Sequence, residues 1–423
     1  MQTAPLPGPG SPTREPGLLL VSAAWLLPVL PALSALLLLA SSGLLWWRRS
    51  KMALGPHPVG RSWLWLIGAT VVAVACSSRP SHSWLALPMA ISYLAITWGT
   101  GHLLRSEAWR RRWLMAIFAG LVPWVLVGMG ILAAGWEARW SLGGAELRLG
   151  TSDGRLNSVF FHPNVLAGYL ILTGPLATTL WPRRPWRTAM AFGILGAGLL
   201  LTRSRSAWIG AVAVVPILLA LRHSLVPAEE RADARRVTFA TLGVMALGLG
   251  LSLPVWGPRM LTLTQPGIVS NEGHKLVWAA AMDMVQARPW TGWGPGTWLD
   301  IYPRFRYPAE FEHLSHAHSV YLHLAAEYGL PMLVAFLAMV VSVVRRAVRA
   351  VRQGPDGAQV AALASGVVGY LVMGIFEFTL AEGRNSILFF SELGLLLALT
   401  HRPDESRDLQ RLAMPDGASP RPG

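Results

Sequence analysis

Apolar runs of roughly 15 to 25 residues recur along the whole chain, and a run of about that length with few charges is what a helix needs to cross a bilayer. They read as spans near 17–47, 63–77, 83–104, 113–136, 159–180, 186–202, 206–221, 237–256, 319–344, 358–380 and 386–400. The first is too long for one upright helix. Pro28 and Pro31 inside it predict a tilt, a kink or a split into two segments. The fold class expected is therefore all-α: a polytopic helical membrane protein of about 11–12 transmembrane helices with one large external loop. A chain of 423 residues could hold two or three soluble domains, but 53% hydrophobic and 14% charged residues rule that out. No internal repeat is visible.

The domains follow from the runs. A polar N-terminal segment (1–16) precedes an N-terminal transmembrane bundle (17–256), a large external loop (257–318), C-terminal transmembrane helices (319–400) and a polar, disordered cytoplasmic tail (401–423). The start carries a single cation, Arg14, and the first apolar stretch outruns a signal-peptide core, so no cleavable secretory signal is expected. Cations mark alternate connections: Arg48, Arg49, Lys51 and Arg61; Arg105 and Arg110 to Arg112; Arg183, Arg184 and Arg187; Arg222 to Arg236; Arg345 to Arg352; and the tail from Arg402. By the positive-inside rule these are cytoplasmic. The stretches 137–158, 203–205, 257–318 and 381–385 then lie outside. Trp46, Trp47, Trp113, Trp136, Trp181 and Trp256 fall at span ends, as an interfacial belt does.

The net charge of +14 would point to nucleic acid in a soluble protein. Here the cations are scattered between spans, so the partners are membrane lipids and no nucleic acid is expected. A lone cysteine, Cys76, excludes an intramolecular disulfide and a thiolate zinc site.

Several residues carry chemistry. Arg203 and Arg205 sit in the short connection LLTRSRSAWIG, where arginine is costly unless it faces a polar cavity or an anion. The guanidinium fork suits phosphate or carboxylate. Two residues apart at a helix start, they should point in different directions, so only one is expected in a site. His316 and His318 in HAHS precede an apolar helical run, and a histidine there can act as a general base. With His313 and His323 nearby a metal is conceivable, but the spacing matches no closed zinc set and none is expected. The turn GWGPG (Gly292 to Gly296) bends the chain sharply and could let backbone approach a ligand; it lacks the surroundings of a phosphate loop. Lys275, on an amphipathic stretch, is a candidate second cation for a diphosphate. Glu327, Glu377 and Glu392 lie in or at the ends of apolar runs, where carboxylates are paired or functional, and an ion-coupled transporter would need such groups. Phe161 to Asn164 (FHPN) either lines the same cavity or caps a helix.

Four stretches together resemble the O-antigen ligase and O-antigen polymerase superfamily of bacterial membrane glycosyltransferases: FHPNVLAGYL (161–170), TRSRSAWIG (202–210), KLVW with RPWTGWGPGTW (275–298) and HAHSVYLHLAAEYGLPMLV (316–334). The resemblance covers roughly residues 100 to 400. It implies a GT-C-like fold in the bacterial inner membrane, with its active face periplasmic, that needs no cofactor. It also implies transfer of a glycan from an undecaprenyl-diphosphate carrier to a hydroxyl on a lipid or glycan acceptor, with inversion. Carried over by motif, His318 takes the place of the family's histidine, as general base, and Arg205 and Lys275 those of its arginines, for the donor diphosphate; from the residues themselves Arg203 is a further candidate for the diphosphate, with His316, Asn164 and Tyr321 as candidates for support. Two positions depart from the family pattern: Lys275 stands for its arginine and Ser319 for its asparagine, and a lysine keeps the charge without the fork. The alternative is a transporter of small anions, of the inorganic-carbon type, or of lipid-linked sugars. Its charges should sit at the bilayer midplane on broken, repeated helices, whereas the candidates here gather at one external surface.

Overall fold

The computed structural model describes residues 11–52, 54, 62–136, 138–142, 145–152, 154–180, 185–214, 269–307, 314–353 and 356–400, with 243, 250, 253–254 and 257 as isolated positions. The expected span at 237–256 lies almost wholly outside these residues, as do the end of the span at 206–221 and the tail 401–423.

The molecule is mostly helical. Proline divides the first apolar run in two: α1 (Arg14–Leu26) ends before Pro28, and α2 (Pro31–Trp47) opens on Pro31, whose missing N–H costs nothing in a first turn. The two form an antiparallel hairpin closed at its open end, where Ser41 Oγ donates to Pro16 O at 2.8 Å and Arg48 meets Glu15 at 2.6 Å. Then come α3 (Ser62–Ala75), α4 (Ala86–Leu103) and α5 (Glu107–Ala133). After the strands described below follow α6 (Pro163–Thr173), α7 (Pro185–Leu201), α8 (205–214) and α9 (Val269–Ala287). The chain ends in α10 (Val320–Tyr328), α11 (Leu330–Gln353), α12 (Gly357–Met373) and α13 (Gly383–Thr400). Residues Arg384 to Ala398 of α13 are buried throughout, which makes it the axis of the bundle.

Four expectations need correction. The run at 159–180 is not one helix: α6 stops at Thr173, and Gly174–Leu176, with Pro175, is a 3-10 turn before the short helix Ala177–Leu180. The run at 319–344 breaks at Gly329, whose φ of 85° no ordinary residue adopts cheaply, with Pro331 just beyond. The external stretch at 137–158 folds as an antiparallel sheet of β1 (Ala138–Leu142), β2 (Ala145–Ser152) and β3 (Arg155–Ser158), in that order, with an irregularity at Gly150/Thr151. Gly128 of α5 admits β3, since a Cβ there would come within 2.9 Å of Leu156 and Ser158. Likewise 257–318 is no plain loop, because it holds the 19 residues of α9.

Among the described residues, two helices are long and apolar enough to cross a membrane alone, Glu107–Ala133 and Leu330–Val351. Pro31–Trp47, Ser62–Ala75, Trp186–Leu201 and Gly357–Met373 are apolar and shorter. Large apolar side chains such as Leu36, Leu64, Trp65, Val212 and Val334 are exposed. Several serines and threonines and Glu392 are buried among the apolar side chains of the core. Trp46, Trp47 and Trp136 are exposed as a belt requires; Trp113 is 2% exposed and packs in the core instead. Trp181 and Trp256 lie outside the described residues.

The ends of the bundle sort by charge. Among the described residues, cation-rich connections meet at one end, where Arg48 pairs with Glu15, Arg110 pairs with Asp356 at 3.2 Å and Trp109 lies against Gly17. The cation-poor connections meet at the other. There Arg384 Nε donates to Pro28 O at 3.0 Å, Ser78 and Ser83 donate to Trp293 O and Pro295 O, and Arg155 Nε donates to Thr202 O at 2.8 Å.

Candidate active site

At the cation-poor end, four separate elements bring polar side chains together around one carboxylate. Glu377 lies in the connection after α12, outside the helix. Its Oε1 is 3.2 Å from His316 Nε2, 3.2 Å from His318 Nδ1 and 3.1 Å from the Phe378 N–H. Its Oε2 accepts from Asn164 Nδ2. Asn164 Oδ1 in turn accepts from Arg155 Nη2 at 2.8 Å, and Arg155 is anchored on the Thr202 carbonyl. The FHPN stretch both caps and lines: His162 is the N-cap of α6, its Nδ1 accepting from Asn164 N, while the Asn164 side chain enters the cluster.

Protonation follows from the partners. Burial alone would raise the Glu377 carboxyl, but the two imidazoles outweigh it and hold the group well below the ordinary carboxylate range. An ionised carboxylate only accepts, so both histidines donate to it. His316 then carries its proton on Nε2, and its Nδ1 faces Ser315 Oγ at 2.9 Å, so both of its nitrogens are engaged. His318 carries its proton on Nδ1. Its Nε2 has no hydrogen-bond partner among the described residues and is free to accept one. Burial also lowers the pKa of His316 below its ordinary value.

His318 is held firmly. Its φ is 45°, a left-handed conformation that costs a non-glycine residue about 1–3 kcal/mol and persists only where the surroundings impose it. The Trp278 indole donates to its carbonyl at 3.4 Å, and the His274 ring stacks on its imidazole at 4.7 Å and 21°. His274 is driven down to a pKa of about 4, first by burial, then by the charges of His318 and Arg205. The other non-glycine residues with positive φ among those described are Arg203 (50°) and Ser158 (53°), which flank the same site.

The cations divide. Arg203 lies against the turn before β3, within 3.8 Å of where a Cβ on Gly154 would stand, whereas Arg205, at the first position of α8, bears on His274. Lys275 is exposed, one residue past His274. The residue that α9 lays on His318 is His274, which sequence reasoning missed; GHKLVW shows it only at helical spacing, with Val277, Trp278 and Ala281. Glu377 was visible, but as a transporter carboxylate, and Arg155 had no signal at all. Tyr321 stands apart from the cluster, its hydroxyl donating to Leu371 O at 2.8 Å. His313 lies outside the described residues.

The glycine turn packs against protein on one side, and its Pro295 and Gly296 line a cavity on the other. Gly292, Gly294 and Gly296 have φ of 64°, 111° and 73°, and a Cβ on Gly294 would stand 1.9 Å from Ser77 Oγ. The turn is wedged between residues 77–83 and the end of α10. Glu327 secures it, Oε2 accepting from Gly296 N and Oε1 from Trp298 N, both at 2.9 Å. This carboxylate is structural. Beside it opens a cavity of about 450 Å³ with an apolar body (Trp63, Leu66, Met89, Met332, Phe390) and a polar end at His82 and His323. Phe378 also lines it; stacked on His323 at 3.8 Å and 5.9 Å from His316, it is the wall between cavity and histidines.

Residues 190–337 match the family model described as O-antigen ligase. Over that stretch the chain is similar to the O-antigen ligase family. No curated protein matches the chain. The matched domain contains Arg203, Arg205, His274, His316 and His318, while Arg155, Asn164 and Glu377 come from outside it. The cluster around Glu377 therefore joins residues of the matched stretch to residues on both of its flanks.

Proposed function

We propose that the protein transfers a glycan from an undecaprenyl-diphosphate carrier to an acceptor hydroxyl at the periplasmic face of the bacterial inner membrane, as an O-antigen ligase or polysaccharide polymerase. The observation that carries this reading is the His318 imidazole: held at Nδ1 by Glu377, it keeps an Nε2 with no hydrogen-bond partner among the described residues, beside the His274 ring on which Arg205 bears.

The acceptor O–H gives its proton to His318 Nε2 as its oxygen bonds to the anomeric carbon. The bond from that carbon to the diphosphate oxygen breaks, and the polyprenyl diphosphate leaves with the electron pair. One displacement inverts the anomeric centre. Arg205 is the cation for the diphosphate, with Arg203 and Lys275 contributing charge; such fixed cations stabilise the departing anion where no metal is required. The imidazolium that forms is balanced by Glu377. The cavity behind Phe378 suits the first isoprene units of the carrier, since it is apolar along its body and polar where it nears the histidines. Transport is the weaker reading, because Glu327 is committed to backbone amides and Glu377 to the histidines.

The test is the glycan phenotype of a deletion strain complemented with wild type, Arg205→Ala or His318→Ala. Glycan accumulating on its carrier, with only the wild type restoring transfer, supports the enzyme, and the species left without glycan names the acceptor. Full complementation by both variants at equal protein levels removes the proposed site.

A further inference from the structure

Four donors converge on Glu377: two histidines from the segment before α10, one asparagine from α6 and one backbone amide. The carboxylate is 9% exposed, so it meets no acceptor or diphosphate directly. Its hydrogen bonds are specific to side chains whose other ends are themselves fixed. Ser315 holds His316, and Arg155 holds Asn164 while reaching the Thr202 carbonyl, one residue before Arg203.

An isolated histidine exchanges its proton between two nitrogens, and only one tautomer leaves Nε2 able to accept. A buried anion at Nδ1 removes that freedom and stabilises the imidazolium once a proton arrives. The same carboxylate also stops the ring from turning, because His318 is already pinned by its left-handed backbone, the Trp278 indole and the His274 stack. We propose that Glu377 is the positioning residue of the transfer reaction, fixing His318 in the tautomer with Nε2 unprotonated, and that Asn164 and Arg155 hold Glu377 in place. This rests on the reading of His318 as the base. It also links the histidine segment to the arginine turn through one continuous hydrogen-bonded chain, from His318 through Glu377, Asn164 and Arg155 to Thr202.

The experiment uses the purified full-length protein in lipid nanodiscs with an undecaprenyl-diphosphate-linked glycan and an acceptor on which the wild type is active. Glu377→Gln keeps the size and removes the charge; Glu377→Asp keeps the charge and shortens the reach. The expected result for Glu377→Gln is a kcat lower by on the order of 10²-fold or more, with the KM for donor within about threefold of wild type. Glu377→Asp should recover at least about tenfold of that loss. A merely structural role would lower the folded amount, or spread the loss over kcat and KM alike, with no preference for aspartate over glutamine. That outcome overturns the proposal, as does a Glu377→Gln enzyme within about threefold of wild type. If neither variant folds, Asn164→Ala decides, with a roughly tenfold lower kcat at unchanged donor KM expected and an unchanged kcat overturning the proposal. A wild type that transfers no glycan to any acceptor removes the reaction itself, a failure distinct from that of the positioning role.

Discussion

Two buried glutamates each meet histidine, and they do opposite work. Glu327 is paired with His323 one helical turn away on α10, at 3.4 Å, and its oxygens accept backbone N–H groups of Gly296 and Trp298. Glu377 is paired with two histidines from a distant stretch and accepts a third side chain from α6. The Glu327 pair is closed, with side chains 7% and 5% exposed; His316 and His318 stay 25% and 19% exposed. A carboxylate saturated by amides fixes a turn. One that holds half-open imidazoles fixes the nitrogen proposed as the base. Like residue types at like burial therefore separate by what occupies their remaining lone pairs.

The sharpest break of that comparison is between His318→Ala and His323→Ala. The first should lower turnover by about 10²–10⁴-fold, the range for losing a general base, with protein level and melting temperature near wild type. The second should spare kcat per folded molecule. Equal losses of kcat would erase the distinction.

Next in size is Glu327→Ala, which strands two buried amides at about 1–3 kcal/mol each. Lower folded yield and an earlier thermal transition should follow, while the surviving protein keeps its donor KM. A melting temperature equal to wild type would mean that the turn does not depend on this carboxylate.

The third test is pH. His274 has a native pKa near 4 against an ordinary 6.5, so the fold favours its neutral form. The associated stability is present above about 6.5 and is lost as pH falls from there towards 4. His316, also lowered, adds to the same trend. Thermal unfolding followed between pH 7.5 and about 4.5 should show the decline, and His274→Phe should flatten it. A variant with the wild-type slope would assign the decline to other groups.

The smallest effect expected is at Lys275, which is exposed and one residue removed from the face of α9 that meets His318. Lys275→Ala should raise the donor KM by no more than about threefold, as screened surface charges do. A loss as large as that of Arg205→Ala would return Lys275 to the diphosphate.

Helices were legible wherever apolar periodicity and punctuation agreed: Pro28 and Pro31 announced the break between α1 and α2. The later breaks at Gly174–Pro175 and at Gly329 were hidden because apolar residues flank them on both sides and hydropathy does not register backbone geometry. His318, His316 and Asn164 were reachable from the sequence, since each stands at a polar interruption of an apolar run. The partner of His318 was not, because Glu377 is 59 residues further on and the contact is made by the packing of α12 beside the start of α10. Arg155 was hidden for the same reason, with β3 carrying it to a site built from later helices. The GWGPG turn was open in the sequence because glycine serves a close approach to protein backbone as readily as to a ligand, and here the turn both packs on protein and lines the cavity.

The family match ends at residue 337 and begins at 190, yet the histidine it contains leans on residues 155, 164 and 377. A chimera that exchanges only the matched segment between two relatives would graft a base onto a foreign carboxylate and asparagine. Grafts cut at those boundaries should assemble and stay silent. Moving the outer three residues together with the segment is the smallest transplant expected to carry activity with it.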